Sequence, residues 1–312
     1  MQDHQTTIKS RVTLSGIGVH SGKPVTIHFS PADPDTGIVF HCLAADTVDN
    51  ELRALVSEVG ATDLSTVLGN PARHHVATVE HLMATVFAIG IDNLSIDIDG
   101  NEVPILDGSA ALFVEAFDQA GIEVLPVKRR YIRILKPVRM ESGASWAEFR
   151  PYRGTRFEVE IDFTSPAIGR QFFAGDLSGE MFRNEIARAR TFGFMKDVEH
   201  LWAAGYALGS SLENSVVIGE DHRIVNMEGL RYPDEFVRHK VLDAMGDLAL
   251  AGARFIGCFR SHRGGHKLNA MALRSLLSDR SAFEIVEAGK RERGRATEMI
   301  AVNAPSFAPW VI

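Results

Sequence analysis

The feature that most constrains the fold is an order of elements that occurs in both halves of the chain. In the first half, a helical pattern over 78–89 ends at a glycine and precedes an alternating, strand-like segment over 93–99. In the second half, a helical pattern over 239–250 also ends at a glycine and precedes a strand-like segment over 254–259. A helix on a sheet needs its apolar face covered, and two such units can cover each other. The order predicts an α+β protein of two fused domains of similar build, each a helical layer packed on a β-sheet, with the active site between them.

Chain length and one crossing segment indicate where the two domains meet. The chain has 312 residues, which corresponds to about two domains at the usual ~150 residues each. Pro126 and the basic cluster 128–130 lie in the segment that connects the patterns of the two halves. We therefore predict an N-terminal α+β domain over 1–126 and a C-terminal α+β domain over 127–312.

Composition argues against several classes of protein. The net charge of −7 argues against a nucleic-acid-binding protein, so local positive groups would have to hold an anionic substrate. Cys42 and Cys258 lie far apart, which argues against a disulfide framework or a thiolate metal site. The N-terminus lacks the pattern of a signal peptide, and no run of about 18 apolar residues occurs. We expect a cytoplasmic monomer without stable membrane insertion.

Two separated segments contain the residue types of a catalytic metal site. Glu80 and His81 open the first helix, and His239 and Asp243 stand four residues apart on the second. On a helix, that spacing puts both side chains on one face with Cβ atoms about 5–6 Å apart. Two imidazoles and one carboxylate leave a fourth coordination position for water, and Glu80 can take the proton of that water.

Each of these fragments also has a plainer interpretation. A single histidine near a helix start is more often a surface or capping residue than a ligand, and His239, Asp243 and Asp247 also describe a solvated polar stripe. The segment 264–267 is either a flexible turn or a loop that presents His266 as a proton donor. Two histidines and a carboxylate also occur in non-haem Fe(II) oxygenases. A non-catalytic binder of sugar nucleotides or acyl carriers and a structural zinc site are the remaining alternatives.

Five motifs together resemble one enzyme family. They are Gly-Ile-Gly-Val-His-Ser-Gly over 16–22, Thr-Val-Glu-His-Leu over 78–82, Val-Pro-Ile-Leu-Asp-Gly-Ser over 103–109, Ala-Arg-Thr-Phe-Gly over 189–193 and Glu-Phe-Val-Arg-His-Lys over 235–240. They are similar to motifs of the UDP-3-O-acyl-N-acetylglucosamine deacetylases, and they occur in the expected order over nearly the whole chain. The resemblance implies two fused α+β domains with the active site between them. It also implies a zinc-dependent hydrolase that removes acetate from UDP-3-O-(3-hydroxyacyl)-N-acetylglucosamine, the committed step of lipid A biosynthesis.

The resemblance further implies catalytic roles for matched residues. The implied ligands of one Zn²⁺, with which Fe²⁺ can compete in the cell, are His81, His239 and Asp243. Glu80 matches the general base, and His266 matches the general acid, which Asp247 holds in place. Thr191 matches the hydroxyl that stabilises the developing oxyanion. Where some members carry a cysteine, this chain has the pair 65–66, Ser-Thr, to which the implied mechanism assigns no role.

The resemblance implies that the substrate is an acylated UDP-sugar. A site for such a substrate needs both an apolar passage and local positive charge. A β-α-β insert near 195–217 matches the passage for the acyl chain, although core packing is the plainer interpretation of its apolar residues. The implied substrate-binding residues are His20, Phe192, Met195, Val198, Ser211, Val217 and Lys240. The candidates for holding the diphosphate are Lys240, Arg260, His262, Arg263 and Lys267.

Overall fold

The computed structural model describes residues 3–43, 50–70 and 72–289, so the end of the domain predicted over 127–312 lies outside the described residues. The elements of the first half are β1 (His4–Ile8), β2 (Val12–Ile17), β3 (Pro24–Pro31), β4 (Ile38–Cys42), β5 (Glu51–Arg53), a 3₁₀ turn (Val56–Glu58), β6 (Val59–Ala61), β7 (Val67–Gly69), β8 (His75–Val76), α1 (Glu80–Ile89), β9 (Leu94–Ile98), α2 (Ala111–Ala120) and β10 (Ile122–Lys128). Those of the second half are β11 (Arg130–Ile134), β12 (Val138–Ser142), β13 (Ser145–Arg150), β14 (Thr155–Asp162), β15 (Arg170–Asp176), α3 (Gly179–Met181), a π-helical turn (Phe182–Ile186), β16 (Phe192–Phe194), α4 (Met195–Ala203), β17 (Val216–Ile218), α5 (Glu235–Ala249), β18 (Arg254–His262), α6 (His266–Ser278) and β19 (Phe283–Glu287).

The first half is built on a five-stranded sheet in the order β2-β3-β9-β4-β5. Its central strand β9 is antiparallel to β3 and parallel to β4. Along β3, Val25, Ile27 and Phe29 are buried and alternate with more exposed residues, as the period of two of a half-buried strand requires. Phe117 of α2 contacts Phe29 edge-on with ring centroids 5.0 Å apart, so α2 covers this face of the sheet.

The second half is built on a seven-stranded sheet around β18. This strand is antiparallel to β13 and parallel to both β11 and β14. Helix α5 packs against β14 and β15, and α6 packs against β12 and β13. Thus each half places the strand that follows its long helix inside a sheet with mixed strand directions.

Helices α1 and α5 pack against each other between the two sheets. Every residue of α1 except Ile89 is buried, and apart from Glu80, His81 and Thr85 its residues are apolar. The helices approach closely at Gly246, where an added Cβ would lie 2.0 Å from the carbonyl oxygen of Glu80. The predicted α+β fold, in which two helix-and-sheet units cover each other, is confirmed.

Several element boundaries differ from the sequence prediction. Helix α1 begins at Glu80 because Thr78 has a left-handed backbone with φ of 58°. Helix α5 begins at Glu235, before the predicted start, and His266 is the first residue of α6 rather than part of a loop. The predicted division after Pro126 falls inside β10, which pairs with β1, and it stays a prediction. No helix in the described part of the chain has both the length and the apolarity to span a membrane.

Candidate active site

The crossing of α1 and α5 brings three buried residues together as a candidate metal centre. His81 comes from α1, and His239 and Asp243 come from one face of α5. Each offers one ligand atom, and these atoms all lie within 4.8 Å of one another, the one such group found in the described segments. Asp243 Oδ1 lies 3.7 Å from His81 Nε2 and 3.3 Å from His239 Nε2. Tetrahedral zinc with bonds of about 2.0–2.1 Å separates its ligand atoms by roughly 3.4 Å, so the donor set fits this metal.

The protonation states of these residues also suit a metal. His239 Nδ1 lies 3.0 Å from the carbonyl oxygen of Ala189, which can only accept, so Nδ1 carries the proton and Nε2 is free to bind. Burial lowers the pKa of His239 and lowers the pKa of His81 to about 3. Burial opposes ionisation of Asp243, but His239 and Lys240 outweigh it and hold its pKa well below the usual range. Neutral imidazoles and an ionised carboxylate are the states that coordinate a metal.

Glu80 and His266 face each other beside the candidate metal centre. His266 Nδ1 lies 3.0 Å from Asp247 Oδ2, and its Nε2 lies 3.9 Å from Glu80 Oε1. Burial raises the pKa of Glu80 to about 7, with Asp243 and Asp247 adding to the shift and His266 opposing it. Burial opposes the charged form of His266, but Asp247 and Glu80 outweigh it and raise its pKa to about 9. Near neutral pH the site can therefore hold a carboxylate base next to an imidazolium acid.

Lys240 forms a hydrogen bond with the second carboxylate oxygen of Asp243, one of the candidate metal ligands. Its Nζ donates a hydrogen bond of 2.5 Å to Asp243 Oδ2, which leaves Oδ1 directed at the two histidines. Burial opposes the charge of Lys240, but Asp243 outweighs it and raises the pKa of the amine, which stays cationic. Lys240 and His266 also line a cavity of about 410 Å³ that opens beside the cluster.

Only part of the predicted basic cluster faces that cavity. Lys240, Arg263 and Lys267 line it. Arg260 and His262 do not line it, and each pairs with a carboxylate of the neighbouring strand β14, at 2.8 Å for Arg260 with Glu158 and at 3.3 Å for His262 with Glu160. Arg263 also pairs with this strand, at 3.8 Å from Asp162. The parallel register of β14 and β18 sets Glu158 opposite Arg260 and Glu160 opposite His262.

The segment that contains Thr191 and Phe192 is tied to α5. The Thr191 backbone N–H donates to the carbonyl oxygen of Gly108 at 2.8 Å. The ring of Phe192 lies edge-on to the ring of His239, with centroids 6.2 Å apart. Arg190, which precedes them, is almost fully buried and its Nε donates to Glu235 at the start of α5 at 2.9 Å. Phe192 therefore lies beside α5, the helix of two candidate metal ligands, and Thr191 precedes it in the chain.

His20 lies on a loop that a buried carboxylate holds in place. The backbone N–H groups of His20 and Ser21 donate to Glu102 at 2.8 and 2.9 Å, and the Thr78 hydroxyl donates to it at 3.1 Å. Burial lowers the pKa of His20, with Glu102 opposing the shift. The Nδ1 atom of His20 is buried and has no hydrogen-bond partner within the described protein. The ring is thus a neutral imidazole with one free nitrogen.

The insert predicted near 195–217 is a β-α-β unit in which β16 and β17 pair in parallel and α4 connects them. Val198 and Val217 are partly buried, whereas Ser211 is exposed. Large apolar side chains of this unit are exposed, namely Met195, Trp202, Tyr206, Leu208 and Leu212. The unit meets the His20 loop, because the Leu208 N–H donates to the carbonyl oxygen of His20 at 3.1 Å. It therefore offers an apolar surface next to that imidazole.

Three buried residues of the site had no role in the sequence prediction: Thr66, Asn269 and Glu102. Thr66 and Asn269 both donate to Asp247, at 2.5 and 2.8 Å. Asn269 stands three residues after His266, a spacing that would have pointed to a shared helix face if α6 had been predicted to begin at His266. No local pattern marks Thr66, whose partner lies 181 residues away in the sequence.

Comparison with known proteins identifies close relatives. The family model described as UDP-3-O-acyl N-acetylglycosamine deacetylase matches residues 5–278. The chain is 62% identical over 290 residues to UDP-3-O-acyl-N-acetylglucosamine deacetylases of Brucella ovis and Brucella abortus, with 92% of this chain and 100% of each relative covered. It is 61% identical over the same length to that of Brucella melitensis biotype 2, with the same coverage.

Proposed function

The chain belongs to the UDP-3-O-acyl N-acetylglycosamine deacetylase family, and we propose that the cluster between α1 and α5 carries out its reaction with a zinc ion. The reaction is hydrolysis of the acetamide of UDP-3-O-(3-hydroxyacyl)-N-acetylglucosamine to acetate and the 2-amino sugar nucleotide, the committed step of lipid A biosynthesis. The observation that carries the proposal is one buried site with three candidate metal ligands, a carboxylate of raised pKa and an imidazole of raised pKa. We place this reaction in the cytoplasm, where UDP-sugars are made.

His81, His239 and Asp243 would hold the metal. Zinc bound there supplies Lewis-acid polarisation of the amide carbonyl and makes water more acidic. The carbonyl of Ala189 orients His239, and Lys240 orients Asp243, so the ligand atoms are directed at one point. Fe²⁺ would suit the same nitrogen and oxygen ligands and can replace zinc in the cell.

Glu80 is the general base in this proposal. Its pKa of about 7 lets the carboxylate accept a proton from water at physiological pH and remain basic enough to do so efficiently. The backbone N–H of Thr66 donates to Glu80 Oε2 at 3.1 Å, which leaves Oε1 as the atom directed at the reaction site. Oε1 is also the oxygen that lies nearer His266 Nε2.

His266 is the general acid. Its Nδ1 proton is held by Asp247, so the proton on Nε2 faces the cluster and can be delivered to the amine that leaves. Asp247 keeps the imidazole cationic and fixes its orientation. The hydroxyl of Thr191 would donate to the oxyanion that forms when the carbonyl is attacked, a role that needs a preorganised donor.

The remaining predicted residues would bind the rest of the substrate. Lys240, Arg263 and Lys267 form the positive side of the cavity, which suits a diphosphate in a protein with a net charge of −7. Phe192 would line the sugar site beside His239, and His20 would lie near the sugar and acyl region of the substrate. The acyl chain would lie on apolar side chains of the β-α-β unit, namely the exposed Met195 and the partly buried Val198 and Val217, near Ser211.

The test is acetate release from UDP-3-O-(3-hydroxyacyl)-N-acetylglucosamine by metal-stripped protein and by the same sample after one equivalent of zinc. Activity should vanish on stripping and return with zinc. Glu80→Gln should keep its zinc and lower kcat by about 10²–10⁴, the usual contribution of general base catalysis. A zinc-loaded protein without activity, or a Glu80→Gln variant with normal kcat, would contradict the proposal.

A further inference from the structure

Asp247 is surrounded by three hydrogen-bond donors, two from helix α6 and one from the segment between β6 and β7. His266 Nδ1 lies 3.1 Å from Asp247 Oδ1 and 3.0 Å from Oδ2. Asn269 Nδ2 donates to Oδ2 at 2.8 Å, and the Thr66 hydroxyl donates to Oδ1 at 2.5 Å. Both Thr66 and Asp247 are 2% exposed, so water does not compete for these bonds. Each oxygen of this carboxylate therefore has one dedicated donor in addition to the imidazole.

Thr66 also contacts the other proton-transfer group of the site. Its backbone N–H donates to Glu80 Oε2 at 3.1 Å, and its carbonyl oxygen accepts from the Val79 N–H at 3.4 Å. Thr66 lies between β6 and β7 of the first half, whereas Asp247 lies on α5 of the second. A single residue thus bonds the carboxylate of the base and the carboxylate that holds the acid, across the seam between the two halves.

We propose that Thr66 is a positioning residue for the deacetylation: its hydroxyl fixes the Asp247 carboxylate and thereby the orientation of the His266 imidazole relative to Glu80. This inference rests on the proposed roles of Glu80 and His266. It goes beyond those roles because it assigns the alignment of the acid to a residue whose hydrogen bonds go to Glu80, Asp247 and Val79 and to none of the candidate metal ligands.

The geometry explains why one hydroxyl is needed. The proton of His266 Nδ1 lies between both oxygens of Asp247, so the ring follows any rotation of that carboxylate. Asn269 restrains Oδ2 only, and without Thr66 the carboxylate can turn about that remaining bond. Turning would move His266 Nε2 away from its place 3.9 Å from Glu80 Oε1. Misalignment of the imidazole lowers the rate of proton transfer and leaves binding of the substrate intact.

The experiment compares Thr66→Val, which replaces the hydroxyl by a methyl group, with Thr66→Ser, which keeps the hydroxyl. Both retain the backbone N–H that contacts Glu80. We expect Thr66→Val to lower kcat by about 10–100-fold, the usual cost of losing an outer hydrogen-bond partner in a metal site, with KM and zinc content unchanged. Thr66→Ser should restore kcat. Equal kcat for Thr66→Val and wild type, or failure of Thr66→Ser to restore it, would overturn the proposal.

A matched control removes a buried hydroxyl that is not bonded to Asp247. Thr85 is fully buried on α1 and its hydroxyl donates to the carbonyl oxygen of His81 in the same helix at 3.0 Å. Thr85→Val should keep wild-type kcat. A loss equal to that of Thr66→Val would show that any buried hydroxyl here matters for packing, which would reject a positioning role.

A double-mutant cycle tests whether Thr66 acts through His266. In a His266→Gln background, Thr66→Val should lower kcat no further, because the group that it positions is absent. The same fractional loss in both backgrounds would overturn the proposal. If Thr66→Val does not fold, Thr66→Ala removes the hydroxyl without adding a methyl group and takes its place. Failure of the proposed function would be distinguishable, since His266→Gln and Glu80→Gln would then have normal kcat.

Discussion

Gly246 permits the close approach of α5 to α1, and its replacement by alanine tests how strictly that approach sets the site. A Cβ at this position would lie 2.0 Å from the carbonyl oxygen of Glu80, 2.7 Å from its carbonyl carbon and 2.8 Å from its Cα. Non-bonded heavy atoms are most stable at about 3.5–4.0 Å, so the helices would have to separate by roughly 1 Å or more. All three obstructing atoms belong to the backbone and cannot rotate away.

That separation would move the candidate metal ligand on α1 away from the two candidate ligands on α5. His81 follows Glu80 on α1, whereas His239 and Asp243 lie on α5 with Gly246. Metal–ligand distances tolerate changes of about 0.2 Å, so a shift of roughly 1 Å should abolish most zinc binding. Overpacking costs about 1–3 kcal/mol, while alanine favours a helix over glycine by about 1 kcal/mol. We therefore expect Gly246→Ala to lower both activity and the stability of the metal-free protein despite its better helix propensity.

The assay measures zinc content, acetate release and the thermal unfolding midpoint of the metal-free protein. Gly179→Ala is the control, because a Cβ at this helix position meets no atom within 4 Å. It should match wild type in all three measurements. A Gly246→Ala protein with wild-type zinc content, activity and midpoint would refute the claim that this contact sets the geometry of the site.

Other consequences of the site geometry can be tested independently. The value of kcat/KM should rise through about pH 7 as Glu80 ionises and fall above about pH 9 as His266 loses its proton, which a pH–rate profile with zinc-loaded enzyme would measure; a flat profile would contradict both roles. Asp243→Ala should bind little zinc and release no acetate, whereas zinc retention in equilibrium dialysis would exclude Asp243 as a ligand. Arg190→Met leaves the buried carboxylate of Glu235 without its cationic partner and should lower the free energy of unfolding by about 3–5 kcal/mol in urea. An unchanged urea midpoint would show that the pair contributes little to stability.

Local patterns were sufficient for the long elements. The helical period and the closing glycine placed α1 and α5, and the alternation of β9 identified a strand with one buried face. Helix α5 begins before the start that its pattern predicts, because its first residue, Glu235, is held by Arg190 from a distant segment. The start of α6 was missed because Gly264 and Gly265 are typical of a turn, while packing against β12 and β13 stabilises the helix that follows.

Charge in the site followed from tertiary pairing rather than from composition. Five basic residues were candidates for the diphosphate: Lys240, Arg260, His262, Arg263 and Lys267. Arg260 and His262 pair with carboxylates of β14 and do not line the cavity, because a parallel register that no local pattern reveals places Glu158 and Glu160 beside them. Fewer basic residues line the cavity than the sequence suggests.

The sequence alone determined which side chains could share a helix face, because the rise and turn of a helix set the spacing of His239 and Asp243 before any packing occurs. The tertiary structure decided what those side chains meet. His81 reaches them because a glycine at 246 lets two backbones come close, and Thr66 reaches Asp247 across 181 residues of sequence. Such contacts depend on how apolar faces pack against each other, and packing is a property of the whole chain rather than of any segment.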